Sequence, residues 1–294
     1  MFTSLAEAIT SILGADIHVA DVTGVSGGDI NRAYRVTASD GTSLFMKCNT
    51  RENLPFFIAE TEGLNAIAGT GAIRTPSVLG IGTDDRYGAF LLLSWAEPKA
   101  RGRSYWETFG RCLADMHRWD TASLNGEGVF GFGRDNFIGA GKQINTPAGS
   151  WVEFFRDRRL APMLARAQGY LDTADRRNAE HLLERLDDYL MEPERPSLLH
   201  GDLWSGNFIT GSDGEAWLID PAAYVGYAEA DLAMTELFGG FSKAFYDAYK
   251  ETNPLQPGYE TRRDLYNLYH LLNHLNLFGP AYLDPVRRIL REYN

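Results

Sequence analysis

Three polar side chains stand close together in the stretch LLHGDLWSGNFI, residues 198–209: His200, Asp202 two positions later, and Asn207 five beyond that. A carboxylate and a carboxamide so spaced can divide one task. Asp202 can take the proton of an attacking hydroxyl while the Asn207 side-chain oxygen holds a divalent cation. Beyond Asn207 the text FITGSDGEAWLID reads as a short strand, the turn GSDG and a second strand that ends on Asp220. That return brings a second carboxylate back toward the loop. One base with two oxygen donors for a metal suits phosphoryl transfer, in which charge on exposed phosphate oxygens must be neutralised. His200 reads as an orienting residue of the loop rather than a proton carrier.

Such a loop requires a phosphate-holding element elsewhere in the chain. The text TGVSGGDINRAYRVTASDGTSLFMK, ending at Lys47, reads as a glycine loop, a strand, the turn SDG and a second strand. Gly27 and Gly28 would let backbone N–H groups approach phosphate oxygens with no Cβ in the way. SGGDIN departs from G-x-G-x-x-G, so its position one hairpin before Lys47 carries the reading. Lys47 closes the strand SLFMK as the phosphate-pairing cation, and Glu60 on the next helical pattern orients it. Glu60 shares helical spacing with Leu64 and Ile67, which sets it beside the buried stripe; Glu62 is the competing choice. The apolar strand AFLLLSW leads into a hinge, where backbone groups near Ser94 and Ala96 would meet an adenine edge.

After Trp95 the patterns lengthen and become helical: YWETFGRCLADMHRWD, SWVEFFRDRRLAPMLARAQGYL, RNAEHLLERLDDYLM and RRDLYNLYHLLNHLNLF. The expected architecture is α+β, a protein-kinase-like two-lobed fold. Residues 1–95 would form a small β-rich N-terminal lobe, and residues 96–294 a mostly helical C-terminal lobe with the catalytic loop and the substrate site. In protein kinases the corresponding loop reads H-R-D-x-x-x-x-N.

The bulk composition narrows the partners. With 44% hydrophobic residues in 294 the chain can bury a substantial core. Its 39 acidic against 28 basic residues give a formal charge of -11 with no Lys/Arg stripe, which argues against nucleic acid and anionic membrane as partners. No apolar run approaches the ~20 residues of a membrane span. MFTSLAEAITSILGADI reads as an amphipathic first helix, so a cytoplasmic protein is expected. Two cysteines, Cys48 and Cys112, offer neither a disulfide framework nor a zinc site.

The stretches LLHGDLWSGN, IDPAAYVGYAEADLAMTELFGGF, PGYETRRDLYNLYHLLNHLNLFG and GGDINRAYRV together resemble the fructosamine kinase (ketosamine 3-kinase) family, relatives of the aminoglycoside phosphotransferases, over nearly the whole chain. W-S-G-N and L-F-G-G-F separate this pattern from protein kinases. The resemblance implies ATP- and Mg2+-dependent phosphorylation of the C3 hydroxyl of sugars attached to amines, a repair step that destabilises the adduct. It implies Asp202 as the base, Asn207 and Asp220 as metal ligands, and Lys47 with Glu60 as the phosphate-orienting pair. The partners would be ATP and a ketosamine, free or on a glycated protein, and the protein would act as a monomer. Trp204, two residues after the base, could stack on the C–H face of a sugar. His270, Asn273 and His274 recur at helical spacing, and the resemblance favours His274 as the substrate neighbour. Asp231 is expected to cap a helix or anchor the catalytic loop.

Some relatives carry an oxidisable cysteine in the glycine loop, where this chain has Gly27. Cys48 and Cys112 are expected to be structural thiols, with Cys48 reactive only if exposure lets nearby Lys47 lower its pKa. The residues leave three classes open: a ketosamine kinase, a kinase for aminoglycosides or amino alcohols, and a kinase-like binding module without activity. The complete set Lys47, Asp202, Asn207 and Asp220 argues against the inactive module, and W-S-G-N against the aminoglycoside enzyme.

Overall fold

The computed structural model describes residues 1–25 and 31–293, so Gly27 and Gly28 lie outside the described residues. The chain divides into two compact units, Met1–Tyr105 with Ile209–Asp220, and Trp106–Phe208 with Pro221–Asn294.

The first unit is built on an antiparallel sheet of β1 (Val19–Gly24), β2 (Arg32–Ala38), β3 (Ser43–Asn49), β4 (Val78–Asp84) and β5 (Gly88–Ser94), in the order β1-β2-β3-β5-β4. Side chains alternate across such a sheet, so each face needs its own cover. Helix α1 (Leu5–Leu13) covers one face: Leu5, Ala8 and Ile9 pack with Val36, Leu44, Met46, Cys48, Phe90 and Leu92. Ser4 starts this helix by accepting the Glu7 N–H at 3.1 Å. Helix α2 (Leu54–Gly69) covers the other face, with Phe57 and Leu64 against Ala89, Leu91 and Leu93. β5 is therefore buried on both sides, which is why it reads as an unbroken apolar run and not as an alternating strand.

The same alternation separates two neighbours. Lys47 pairs in register with Leu91, on the α2 face, and Cys48 with Phe90, on the α1 face. Cys48 is fully buried among apolar side chains, and desolvation pushes its thiol up to about 12. The condition for a reactive Cys48 is not met, because the strand turns its thiol away from the lysine next to it.

The second unit is mostly helical, as the long periodic patterns require. Helix α3 (Tyr105–Arg118), all but its first residue in this unit, buries Phe109, Leu113 and Met116. At Gly110 it meets the helix Lys243–Thr252 so closely that a Cβ would lie 2.2 Å from the Phe245 carbonyl oxygen. Helices Ala228–Leu237 and Tyr259–Phe278 pack together and are buried nearly all round, so neither shows a clean amphipathic stripe. A buried bidentate pair joins them: the Arg262 guanidinium donates to Glu229 at 2.7 and 2.6 Å. The expected helix over 150–171 is regular at its ends but passes through wide turns at Phe155–Leu160, where the Ala161 N–H bonds the Arg156 carbonyl. Pro162 follows without an N–H of its own to give. Among the described residues no helix is long and apolar enough to cross a membrane.

The burial of Cys48 predicts that a disulfide reagent at about pH 8 modifies at most one thiol of the native protein, half-exposed Cys112, and both after unfolding. Two fast-reacting thiols in the native protein would contradict the packing of β3.

Candidate active site

In the first unit three ionisable side chains come together from distant parts of the sequence. The register of β3 aims Lys47 at α2, and the spacing of Glu60 with Leu64 and Ile67 brings its carboxylate to meet it. Lys47 Nζ lies 2.6 Å from Glu60 Oε1, with only 10% and 12% of the two side chains exposed. Lys47 also donates to Asp220 Oδ1. Asp220 arrives on the hairpin of Phe208–Thr210 and Ala216–Leu218. Gly214, at φ 84°, turns this hairpin, and the Gly211 N–H bonds the Glu215 carbonyl at 2.8 Å. Residue 74 fastens it to the rest of the unit: Arg74 Nε lies 2.9 Å from Asp213 Oδ2, and the Leu218 N–H donates to the Arg74 carbonyl at 2.8 Å. The chain then turns at Asp220, the one non-glycine among the described residues in the left-handed region, at φ 55°. Aspartate tolerates that conformation better than most side chains. One ammonium between two carboxylates leaves a net negative charge, a setting that favours a further cation.

Ser94 and Ala96 lie in the same unit. Ser94 ends β5 with its N–H and Oγ both engaged by Ser77, each at 2.9 Å. Ala96 lies just past the strand, half-buried in a stretch without regular structure.

In the second unit the loop 200–207 leaves the strand Ser197–Leu199, which pairs antiparallel with Tyr224–Gly226. Asp231 holds the loop from below. Its buried carboxylate accepts the His200 N–H at 2.6 Å and the Gly201 N–H at 2.8 Å, and meets His117 Nε2 at 3.2 Å. Desolvation pushes its pKa up, but the bond from His117, the charges of His117 and His200 and the Gly201 N–H outweigh it and hold the carboxyl below its ordinary value. Tyr227 is the N-cap of that helix, so of the two expected roles Asp231 has the loop anchor. Gly201 turns the chain at φ 82°, and a Cβ there would meet the Ala222 carbonyl oxygen at 2.1 Å, so only glycine fits. His200 is fully buried; its carbonyl accepts from Ala222 at 2.9 Å and its Nδ1 from the Asp202 N–H at 3.3 Å. This is the surrounding of an orienting residue.

Asp202 and Asn207 are brought together by the loop itself. Asn207 Nδ2 donates to the Asp202 carbonyl at 2.8 Å and to Asp202 Oδ2 at 3.1 Å. The pKa of Asp202 is pushed up to about 7, chiefly by desolvation; the Asn207 bond opposes this and the charge of Asp231 adds to it. With Nδ2 so engaged, the Asn207 side-chain oxygen remains a hard donor, as does the Asp220 carboxylate. Among the described residues no cluster of three or more His, Cys, Asp or Glu forms a metal cage.

Trp204 projects from the same loop, 37% exposed. Its indole folds over Gly206, where a Cβ would lie 2.4 Å from the ring, and its edge meets Phe238 at 6.5 Å between centroids. A Cβ at Gly240 would lie 2.5 Å from Ser205, so W-S-G-N and L-F-G-G-F form one surface. Phe238 in turn contacts the His274 ring at 5.0 Å. His274 Nδ1 bonds the His270 carbonyl at 2.8 Å, and burial lowers its pKa, leaving a neutral ring. Sequence reasoning missed Phe238, for which L-F-G-G-F was the available signal. It also missed Asn136 and Gln143, whose amides donate to the Ala223 and Ala222 carbonyls at 2.7 and 2.9 Å.

A five-stranded sheet holding a Lys–Glu pair, joined to a helical unit with an H-x-D-x-x-x-x-N loop, defines a kinase-like phosphotransferase. The ternary complex of a thermostable mutant of aminoglycoside phosphotransferase APH(4)-Ia with AMP-PNP and hygromycin B shares this fold at TM-score 0.65 and 17% identity, over 99% of this chain and 98% of that one. The fructosamine kinase family matches residues 1–294. The chloroplastic protein-ribulosamine 3-kinase of Oryza sativa subsp. indica is 38% identical, over 95% of this chain and 80% of its own. A Thermobifida fusca crystal structure assigned as a fructosamine-3-kinase is similar at 34% identity and TM-score 0.83, covering 100% of this chain and 99% of its own. The chain belongs to the fructosamine kinase family and is an ATP-dependent phosphotransferase with an alcohol group as acceptor.

Two stability outcomes follow from the loop. Asp231→Asn sets an amide NH2 group against backbone donors or His117 and lowers unfolding free energy by about 3 kcal/mol in urea titration. Asp202 behaves oppositely. Its raised pKa makes ionisation costly to the folded state, a cost that grows as pH rises from the ordinary carboxylate range to about 7. Asp202→Asn therefore raises Tm at about pH 8, and calorimetry should find the gain gone by about pH 3, below the unfolded-state pKa.

Proposed function

We propose that this protein transfers the γ-phosphoryl group of ATP to the C3 hydroxyl of ketosamines, acting as a monomer, and so starts removal of sugars from amines. The observation that carries the reading is Asp202: a carboxylate fixed by Asn207 on a loop with no freedom at Gly201, and with a pKa near neutrality. A base is most effective when its pKa lies near the working pH. Asp202 Oδ2 is held by Asn207, which leaves Oδ1 to take the C3 hydroxyl proton. The hydroxyl oxygen then bonds the γ-phosphorus, the bond from phosphorus to the β–γ bridging oxygen breaks, and ADP leaves.

Each remaining residue has one task. Lys47, held by Glu60, pairs the α and β phosphates, and the chain at Ser94 and Ala96 meets the adenine. Asn207 and Asp220 would hold Mg2+, which supplies neutralisation of charge on the phosphate oxygens. Trp204 stacks on the sugar and His274 stands beside it. The rice relative's name supports both the sugar class and the position of transfer. A phosphate on C3 is a better leaving group than a hydroxyl, and its departure releases the amine.

The test of substrate class is turnover of fructosamines, ribulosamines, erythrulosamines and aminoglycosides with ATP. Phosphorylation of aminoglycosides alone would overturn the ketosamine reading. Asp202→Asn should lower kcat about 10² to 10⁴-fold while Mg·ATP still binds. For the wild type, kcat/KM should fall on the acid side of an apparent pKa of about 7, since only the carboxylate accepts the proton. A variant with more than half of wild-type turnover at saturating sugar would remove Asp202 from the base role. Lys47→Ala should raise the KM for ATP, and Trp204→Ala chiefly that for sugar; normal sugar kinetics with a raised KM for ATP in Trp204→Ala would refute the stacking assignment.

A further inference from the structure

The second unit carries more exposed aromatic surface beside the catalytic loop than a sugar requires. From Trp204 the ring contacts continue through Phe238 to His274, and His274 touches both Phe278 at 5.5 Å and Tyr282 at 5.0 Å. Phe278 and Tyr282 touch each other at 6.3 Å, closing a file of five rings. Trp204, Phe238 and Phe278 are 37%, 40% and 59% exposed, although large apolar side chains are ordinarily covered. Phe278 ends the helix Tyr259–Phe278, and Tyr282 lies in the short turn Pro280–Tyr282 that follows, so two elements place them.

Resting on the ketosamine reading, we propose that Phe278 and Tyr282 form a shelf for the amine side of the substrate and select amines with an apolar or aromatic substituent. The argument is one of continuity. A ketosamine carries its nitrogen on C1, two carbons from the C3 hydroxyl that Asp202 deprotonates, so the substituent leaves the sugar within a few ångströms of the reacting oxygen. One indole face is enough for the sugar. The rings beyond it need an apolar occupant, and the substituent is the part of the substrate that reaches them. A second copy of the chain is a poorer occupant, because a single file of five side chains falls far short of the roughly 800 Å² per partner of a stable interface. The neutral His274 ring keeps the file free of a charge that would repel a protonated amine.

The experiment uses ribulosamines that share one sugar and differ in the amine: methylamine, hexylamine and phenethylamine. For the wild type, KM should fall along the series with kcat constant. Phe278→Ala and Tyr282→Ala should each raise KM for the phenethylamine compound on the order of 3- to 10-fold and leave KM for the methylamine compound and kcat unchanged. Equal KM across the series, or an equal rise for every member in the variants, overturns the shelf alone. A wild type that phosphorylates no ribulosamine overturns the ketosamine reading and the shelf with it. A wild-type dimer by light scattering that becomes a monomer on Phe278→Ala assigns the rings to a second copy instead.

Discussion

The two bonds from the N–H groups of His200 and Gly201 into the buried Asp231 carboxylate set the geometry on which the loop depends. Successive backbone donors in an extended chain point in opposite directions. To reach one carboxylate both must turn to the same side, and the left-handed Gly201 is where the chain makes that turn. The turn presents Asp202, and the side chain of Asn207 closes back on it. A buried carboxylate is expensive unless its oxygens are satisfied; here backbone and His117 do so, and Tyr249 and Asn253 extend the chain at 2.7 and 2.9 Å. The anchor also acts on Asp202, because the negative charge of Asp231 adds to the desolvation that keeps Asp202 protonated up to about 7.

The first unit rests on a register. Lys47 and Cys48 are adjacent, yet one meets Glu60 and Asp220 and the other sits in the apolar core under α1. A slip of one residue in β3 would exchange them, burying an ammonium among Ile9, Phe90 and Leu92 and exposing a thiol to the carboxylates. The cost of burying that charge unpaired is what fixes the register, so the Lys47–Glu60 pair and the stability of the sheet rest on the same choice.

Much of this was readable from the chain because it is local. The loop 200–207, the hairpin that returns Asp220 and the spacing of Glu60 with Leu64 and Ile67 each lie within about one element, where periodicity and turn residues carry information. What could not be read depends on approach between distant segments. Gly201 announces a turn but not the Ala222 carbonyl packed against it. Nothing about Asn136 or Gln143 foretells that they satisfy carbonyls some eighty residues away. Asp231 left two roles open, and the cap of its helix decided between them. Phe238 and Phe278 are forty residues apart with no shared period, so their alignment with Trp204 emerges only from packing.

The hairpin 209–220 gives the first unit an uncommon construction, since its last piece is encoded after most of the helical unit has begun. On the ribosome, residues 1–105 can form their sheet and pair Lys47 with Glu60. The second carboxylate, 173 positions beyond Lys47, arrives only after another hundred residues have been made. At ordinary elongation rates of about 5–20 residues per second that interval lasts roughly 6 to 23 seconds. Throughout it the nascent sheet lacks the strand that bridges Arg74, and its lysine has one counter-charge. A cut at residue 105 would likewise leave the first unit without that piece, so the boundary that looks natural in the fold is not one at which the gene can be divided.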